Sequence, residues 1–255
     1  LCRKTKGDFV KKAICATLVA LICVTSVCGI GAYSKVFAGS RKLPIYCVQT
    51  DKKIAAISFD AAWGADKTSQ IMDVCEEWGV KATFFLVGFW VDKYPEKVAE
   101  IASRGFEIGT HSQTHPQMSK LSAEKCRSEL KTSSQKITDV TGLPVRLFRP
   151  PFGDYDNQLI TVAENLGLYT IQWSVDSLDW KGLSALSIAE RVQKAQSGDI
   201  ILCHNNSDHI VEALPLIFSA MQNKGIKLCP VGELIYTENY KIDSSGKQIL
   251  QVENT

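Results

Sequence analysis

Ile54-Ala55-Ala56-Ile57-Ser58-Phe59 is a nearly continuous apolar run of strand length, and it ends on Asp60. A strand with one wet face would alternate apolar and polar residues. This run does not, so it reads as a strand buried on both sides in a parallel sheet. The next stretch, Lys67–Trp78, has the apolar spacing of an amphipathic helix and is closed by Gly79, a residue suited to the left-handed helix end. The unit then recurs. Further strands are expected at Ala82–Val87, Phe106–Thr110, Leu147–Arg149, Tyr169–Val175, Ile200–Cys203 and Ile226–Pro230. Helices are expected at Pro95–Ser103, Ala123–Thr141, Asn157–Leu166, Ile188–Gln196 and Ile210–Asn223. Seven such units predict an α/β fold with right-handed crossovers, closed as a (β/α)7 barrel rather than left as an open sheet. No glycine-rich phosphate loop is found, which disfavours a nucleotide-binding doubly wound fold.

The chain has 255 residues, room for one large domain with an anchor or tail. Its formal net charge of +2 lacks the concentrated basic excess of a nucleic-acid binder, so no nucleic-acid partner is expected. Arg3, Lys4, Lys6, Lys11 and Lys12 make residues 1–12 a basic head. Residues 13–34 are uncharged and long enough to cross a hydrocarbon core as one N-terminal transmembrane helix. The basic flank places residues 1–12 in the cytoplasm and the main domain outside, in a single-pass cell-membrane protein. Val36-Phe37-Ala38 resembles a small-residue cleavage site, so secretion after cleavage near Ala38 stands as the alternative. A linker at 35–52 leads to the main domain at 53–236, and residues 237–255 read as a polar tail with one strand at Gln248–Val252. Cys47, Cys75, Cys126, Cys203 and Cys229 belong to the domain. Their odd number and irregular spacing predict buried thiols rather than a disulfide framework or a zinc knuckle.

In an α/β barrel the chemistry sits at the C-terminal ends of the strands. The unusual polar residues of this chain gather there. Asp60 ends the first strand; His111 and His115 follow the third; Arg149 ends the fourth; Asp176 and Asp179 follow the fifth; His204 follows the sixth. The two histidines of His111-Ser112-Gln113-Thr114-His115 stand four residues apart, and on a helical turn that spacing would point both imidazoles one way, as a divalent metal needs. Each residue alone has a plain structural explanation: a helix cap for Asp60, an ion pair for Arg149, a satisfied core histidine for His204. Five strand ends delivering Asp, His, Arg, Asp and His to one rim are harder to explain so. His209 follows Ser207-Asp208 at a helix start, where capping and exposure account for it.

The order of these motifs resembles the polysaccharide deacetylases of carbohydrate esterase family 4, the NodB-homology domain, from about Ile54 to Ile235. Ser58-Phe59-Asp60-Ala61, His111-Ser112-Gln113-Thr114-His115, Arg149-Pro150-Pro151-Phe152, Asp176-Ser177-Leu178-Asp179-Trp180 and Leu202-Cys203-His204 look like its five motifs in order. Asp60-Ala61-Ala62-Trp63-Gly64, the run Phe84 to Trp90, and Ser177-Leu178-Asp179-Trp180 look closer still to the membrane-anchored sporulation branch of that family.

The resemblance implies a distorted (β/α)7 barrel and a metal-dependent hydrolase that removes acetyl groups from N-acetylated amino sugars of peptidoglycan or a related cell-envelope polysaccharide in sporulation. His111 and His115 would hold a divalent metal, zinc first, with cobalt, nickel or manganese as alternatives. Asp60 would be the base, Arg149 its partner, and His204 the acid, oriented by Asp179 or, second, Asp176. Phe152 would offer a backbone N–H to the oxyanion, and Trp63, Trp180 and Leu202 would shape the pocket for a cell-wall glycan. One departure matters. The family's first motif carries two adjacent aspartates, the second a metal ligand, and here Ala61 stands in that place. Water, substrate or another carboxylate (Asp66 or Asp154) would then fill the gap, or Asp60 would become the ligand. The remaining alternative is a glycan-binding or morphogenetic protein that keeps the fold without turnover.

Overall fold

The computed structural model describes residues 41–251. Residues 1–12, the apolar run at 13–34 and the cleavage-like site at Ala38 lie outside that range. No helix among the described residues is long and apolar enough to cross a membrane.

The first long strand of the sheet, β2 (Ile54–Ala61), is buried almost throughout, as its composition requires. Its side chains alternate between two hydrophobic clusters. Ala55, Ile57, Phe59 and Ala61 pack outward with the helices, while Ala56 joins the inner cluster around Phe85, Leu147 and Ile200. Ser58 sits at 0% exposure with its hydroxyl donating to the Ile201 carbonyl at 2.7 Å. Around β2 lie β3 (Thr83–Leu86), β4 (Glu107–Thr110), β5 (Leu147–Phe148), β6 (Tyr169–Thr170), β7 (Val175–Asp176), β8 (Ile200–His204) and β9 (Lys227–Cys229). All pair in parallel, in the order β6-β5-β4-β3-β2-β8-β7, with β9 beside residues Ile54 to Ala56. In register, Asp60 of β2 stands opposite Phe85 on one side and His204 on the other.

The sheet is a curled half-barrel with helices, consistent with the expected distorted (β/α)7 barrel, and among the described residues its edge strands β6 and β7 do not pair with each other. The run Tyr169–Val175, expected as one strand, is split: β6 pairs with β5 at one sheet edge, and β7 pairs with β8 at the other. Residues 171–174 therefore cross between the two edges. An upstream segment lines this crossing. The Ile45 N–H donates to the Thr170 carbonyl at 2.9 Å and its carbonyl accepts from Gln172 at 2.8 Å, while the Val48 N–H donates to Gly198 at 2.8 Å. A backbone that serves two edges cannot continue one ladder, and this tertiary demand overrides the strand propensity of the run.

The helices are α1 (Thr68–Glu77), α2 (Gly88–Lys93), α3 (Pro95–Ser103), α4 (Ala123–Thr141), α5 (Asn157–Asn165), α6 (Ala185–Val192), α7 (Ile210–Asn223) and α8 (Val231–Leu234). Their ends follow local chemistry. Pro95 starts α3, Ser122 caps α4 and left-handed Gly142 closes it, and the Asp156 carboxylate caps α5. The α6 helix starts at Ala185 rather than Ile188 because Ser184 caps it, accepting from the Ser187 N–H at 3.2 Å. Two short helices, α2 and α8, lack enough turns to show a period in the sequence. The polar C-terminal stretch forms β10 (Tyr240–Ile242) and β11 (Lys247–Leu250), which join β1 (Cys47–Val48) in a small sheet. Gln248 anchors it, buried and bonded through its side chain to both the N–H and the carbonyl of Tyr236. The five domain cysteines are unpaired, and all but Cys47 are buried.

Candidate active site

Asp60 leaves the C-terminal end of β2 at 7% exposure, and Arg149, just past β5, is at 0%. Arg149 donates from Nη1 to Asp60 Oδ1 at 2.8 Å and from Nη2 to the Gln172 carbonyl at 3.3 Å. Its guanidinium lies 4.1 Å from the centroid of the Phe85 ring. Burial pushes the Asp60 carboxyl up, but the charges of Arg149, His111 and His204 outweigh it and hold the group below the ordinary carboxylate range. Asp60 is therefore an ionised carboxylate on the pocket wall, with Oδ1 taken by Arg149.

His111 and His115 converge, with ring centroids 4.9 Å apart. The segment that brings them together is not the helical turn expected from their spacing. It is an irregular loop in which Ser112 (φ 70°) and His115 (φ 56°) are left-handed. Left-handed backbone at residues with a Cβ needs outside support. The Ser112 hydroxyl accepts from the His115 N–H at 3.0 Å. Glu129 of α4, unmarked in the sequence, accepts from the N–H groups of Gln113 and Thr114, each at 2.8 Å, and from the Thr114 hydroxyl at 2.7 Å.

Across the pocket, His204 ends β8 with its Nδ1 2.7 Å from Asp179 Oδ1, and its backbone N–H donates to Asp179 Oδ2 at 2.8 Å. Asp179 is buried, at 1% exposure. Burial lowers the His204 pKa, but the hydrogen bond and charge of Asp179 outweigh it and raise the imidazole above its ordinary value of 6.5. Asp176 adds a smaller charge effect that also raises His204; its carboxylate accepts from the Leu178 N–H at 2.8 Å and shapes the turn that delivers Asp179.

Asp60, His111, His115, Asp176, Asp179 and His204 line one pocket of about 680 Å³, with Arg149 buried behind Asp60. Leu202 forms part of its floor, and Trp63 (66% exposed), Phe152 (65%) and Trp180 (59%) stand on its rim. Phe152 is left-handed at φ 59°, and its ring centroid lies 4.6 Å from that of His115. The turn at Pro150–Asp154 consumes the Gly153 and Asp154 N–H groups, not that of Phe152. Sequence reasoning missed Asn205, whose N–H donates to the Asp60 carbonyl at 3.1 Å and ties the ends of β2 and β8 together. His209 has no part in the pocket; its ring bonds Glu212 at 3.0 Å.

The donor chemistry fits a divalent ion in part. The Arg149 carbonyl, which can only accept, takes the Nδ1 proton of His111 at 2.7 Å and leaves Nε2 with its lone pair. That Nε2 lies 3.5 Å from Asp60 Oδ2. His115 is held neutral: burial first, then the repulsion a second positive ring would meet beside His111, lowers its pKa to about 4. Two neutral imidazoles beside a carboxylate suit a hydrolytic metal. No group of three or more His, Cys, Asp or Glu side chains among the described residues is arranged to hold an ion. Ala61, at 0% exposure, packs in the helix-side cluster and is absent from the pocket lining. Neither of the two carboxylates considered for its place lines the pocket. Asp154 is spent on the N–H and hydroxyl of Ser119 at 2.8 and 2.7 Å, and Asp66 is outside the pocket lining.

The chain belongs to the polysaccharide deacetylase family, whose model matches residues 48–171. It is 32% identical to a peptidoglycan-N-acetylglucosamine deacetylase of Bacillus cereus over 193 residues, covering 73% of this chain and 70% of that protein. It is 33% identical to the uncharacterised Bacillus subtilis protein YlxY, covering 75% of this chain but only 60% of that relative's length. Among solved structures it superposes on BA3943 of Bacillus anthracis, a pseudoenzyme of carbohydrate esterase family 4, with a TM-score of 0.74 and 32% identity over 76% of this chain and 69% of that one. A mutant of that pseudoenzyme with restored enzymatic activity superposes with a TM-score of 0.73, at 33% identity over 76% of this chain and 71% of that one.

Proposed function

We propose that this chain hydrolyses the acetamide of N-acetylated amino sugars in peptidoglycan or a related envelope glycan, from a membrane-held position outside the cell and during sporulation. The observation that carries the hydrolytic reading is the facing of two charge-tuned pairs, Asp60–Arg149 and His204–Asp179, across one pocket. The membrane and sporulation parts rest on the apolar run at 13–34 and on the stretches around Trp63, Phe89 and Asp179 that look like the sporulation branch.

Water attacks the acetamide carbon as Asp60 Oδ2 takes its proton. Arg149 keeps Oδ1 occupied, so the basic oxygen is fixed in direction. The Phe152 N–H receives the developing oxyanion. His204 bonds Asp179 through Nδ1, which leaves Nε2 to protonate the sugar nitrogen as the C–N bond breaks. The products are acetate and a free amine. His111 and His115 would hold a divalent metal, zinc first, whose contribution when bound is to polarise the carbonyl and acidify water. Trp63, Phe152 and Trp180 present flat apolar faces to the glycan.

Acetate release from N-acetylglucosamine oligomers or spore peptidoglycan, with added Zn²⁺ or Co²⁺, tests this. Release that is abolished by Asp60→Asn and by His204→Ala supports it; no release by the intact protein refutes it. A second reading, glycan binding without turnover, is favoured by Ala61 and by the likeness to a pseudoenzyme. It predicts glycan affinity with no acetate, unchanged by Asp60→Asn.

A further inference from the structure

The Glu129 carboxylate reaches from the middle of α4 into the loop that carries His111 and His115. Its Oε2 accepts two consecutive backbone N–H groups, Gln113 and Thr114, and its Oε1 accepts the Thr114 hydroxyl. From the opposite side, the Gly88 and Phe89 N–H groups at the start of α2 donate to the carbonyls of Ser112 and Gln113 at 2.9 and 3.1 Å. The loop backbone is thus held through its donors by α4 and through its acceptors by α2. One helical turn beyond Glu129, Ser133 bonds Thr110, the residue before His111, so α4 is also keyed to the end of β4. Ionised acceptors make the stronger hydrogen bonds, and here one spans the two left-handed residues, Ser112 and His115.

We propose that Glu129 is a positioning residue: it sets the loop that aims His111 and His115 at a common ion. This rests on the reading of that pair as metal ligands. The carboxylate acts by accepting bonds, so an isosteric amide can replace it. In Glu129→Gln, Oε1 still accepts the two N–H groups, and the amide N–H donates to the Thr114 hydroxyl oxygen. Alanine removes all three bonds.

The test is zinc titration of the intact protein by calorimetry, beside crystal structures of the metal-free variants. Wild type and Glu129→Gln should bind zinc within about threefold of each other, and Glu129→Ala should bind roughly 10–100-fold more weakly, the usual effect of losing an outer-shell partner. Thr114→Val, which loses one bond of three, should fall between. A folded Glu129→Ala with wild-type affinity overturns the proposal, as does Glu129→Gln binding as weakly as Glu129→Ala. If Glu129→Ala does not fold, wild-type affinity in Thr114→Val overturns it. Failure of the wild type to bind zinc sinks the metal reading instead. Glu129 is then judged by structure: an unchanged His111–His115 ring separation of 4.9 Å in Glu129→Ala overturns its role.

Discussion

Removing the charge of Asp60 should cost stability as well as activity, because Arg149 would be left buried with no anion. Arg149 is wholly enclosed, and its Nη1 lies 2.8 Å from Asp60 Oδ1. At that distance an effective dielectric of about 20 gives roughly 6 kcal/mol of attraction. Desolvating the two ions offsets several kcal/mol of that, so the intact pair contributes little net stability. Breaking it from one side is different, at about 3–5 kcal/mol. Asp60→Asn keeps an acceptor for Nη1 and belongs near the lower figure, a fall of roughly 6–12 °C in thermal midpoint at about 2–4 °C per kcal/mol. Arg149→Met strands the carboxylate and should cost as much. The double variant leaves neither charge, and its methionine can lie on the Phe85 ring, so it should be more stable than the sum of the single losses by about 2 kcal/mol or more. Urea or thermal unfolding of the four proteins measures this coupling. Additive losses, or an Asp60→Asn that loses activity with an unmoved midpoint, would refute the buried-pair account.

Because His204 is raised above 6.5, its acid form should persist to higher pH than an ordinary histidine's, and the basic limb of kcat/KM should lie above 6.5. The stability it contributes is present below the unfolded value and lost as pH rises through the folded one. Asp179→Asn should move that limb down; a limb that stays put removes Asp179 from the mechanism. Ala61→Asp places a carboxylate in the helix-side cluster, so the metal-free protein should lose about 1–3 kcal/mol, while zinc should raise its midpoint more than the wild type's. Equal zinc-induced shifts would end the account of Ala61 as a missing ligand. Gly198 has φ 87°, and a Cβ there would meet the Val48 carbonyl oxygen at 1.9 Å. Gly198→Ala should therefore lose stability, by about 1–3 kcal/mol, and an unchanged urea midpoint would show that Val48 does not seal the crossing.

Much of this fold is legible because its signals are local. The ends of α3, α4 and α7 coincide with the expected residues. For α3 and α4, Pro95, Ser122 and Gly142 act on their own turn of backbone. The split of Tyr169–Val175 is not local. It depends on where two distant sheet edges fall, which no seven-residue window records. The histidine pair shows the same division. Its spacing suggests a helical turn, but the two rings meet through a loop with left-handed residues, bonded to Glu129, a charged residue in a helix that looks solvated from its neighbours alone. Asp179 and Asp176 are likewise alike in composition; the left-handed turn at Leu178 (φ 52°) is what sends Asp179 into the core and leaves Asp176 holding that turn.

The two ion pairs also bear on whether the site is built for turnover. A pocket that only holds a neutral sugar has no use for an acid and a base held in opposite protonation states. Here Arg149 keeps Asp60 charged below the ordinary carboxylate range, and Asp179 keeps His204 charged above the ordinary imidazole range. Pushing two titratable groups apart in this way is how one site supplies a base and an acid at a single pH. Each arrangement carries a cost that simple binding would not require: a wholly buried guanidinium in one pair, a buried carboxylate in the other. Neither pair depends on residue 61. On the proposed reading, alanine at that position would weaken metal binding while leaving the proposed base and acid in place. Weak zinc affinity together with intact acid–base pH limbs is the combination that this division of labour requires.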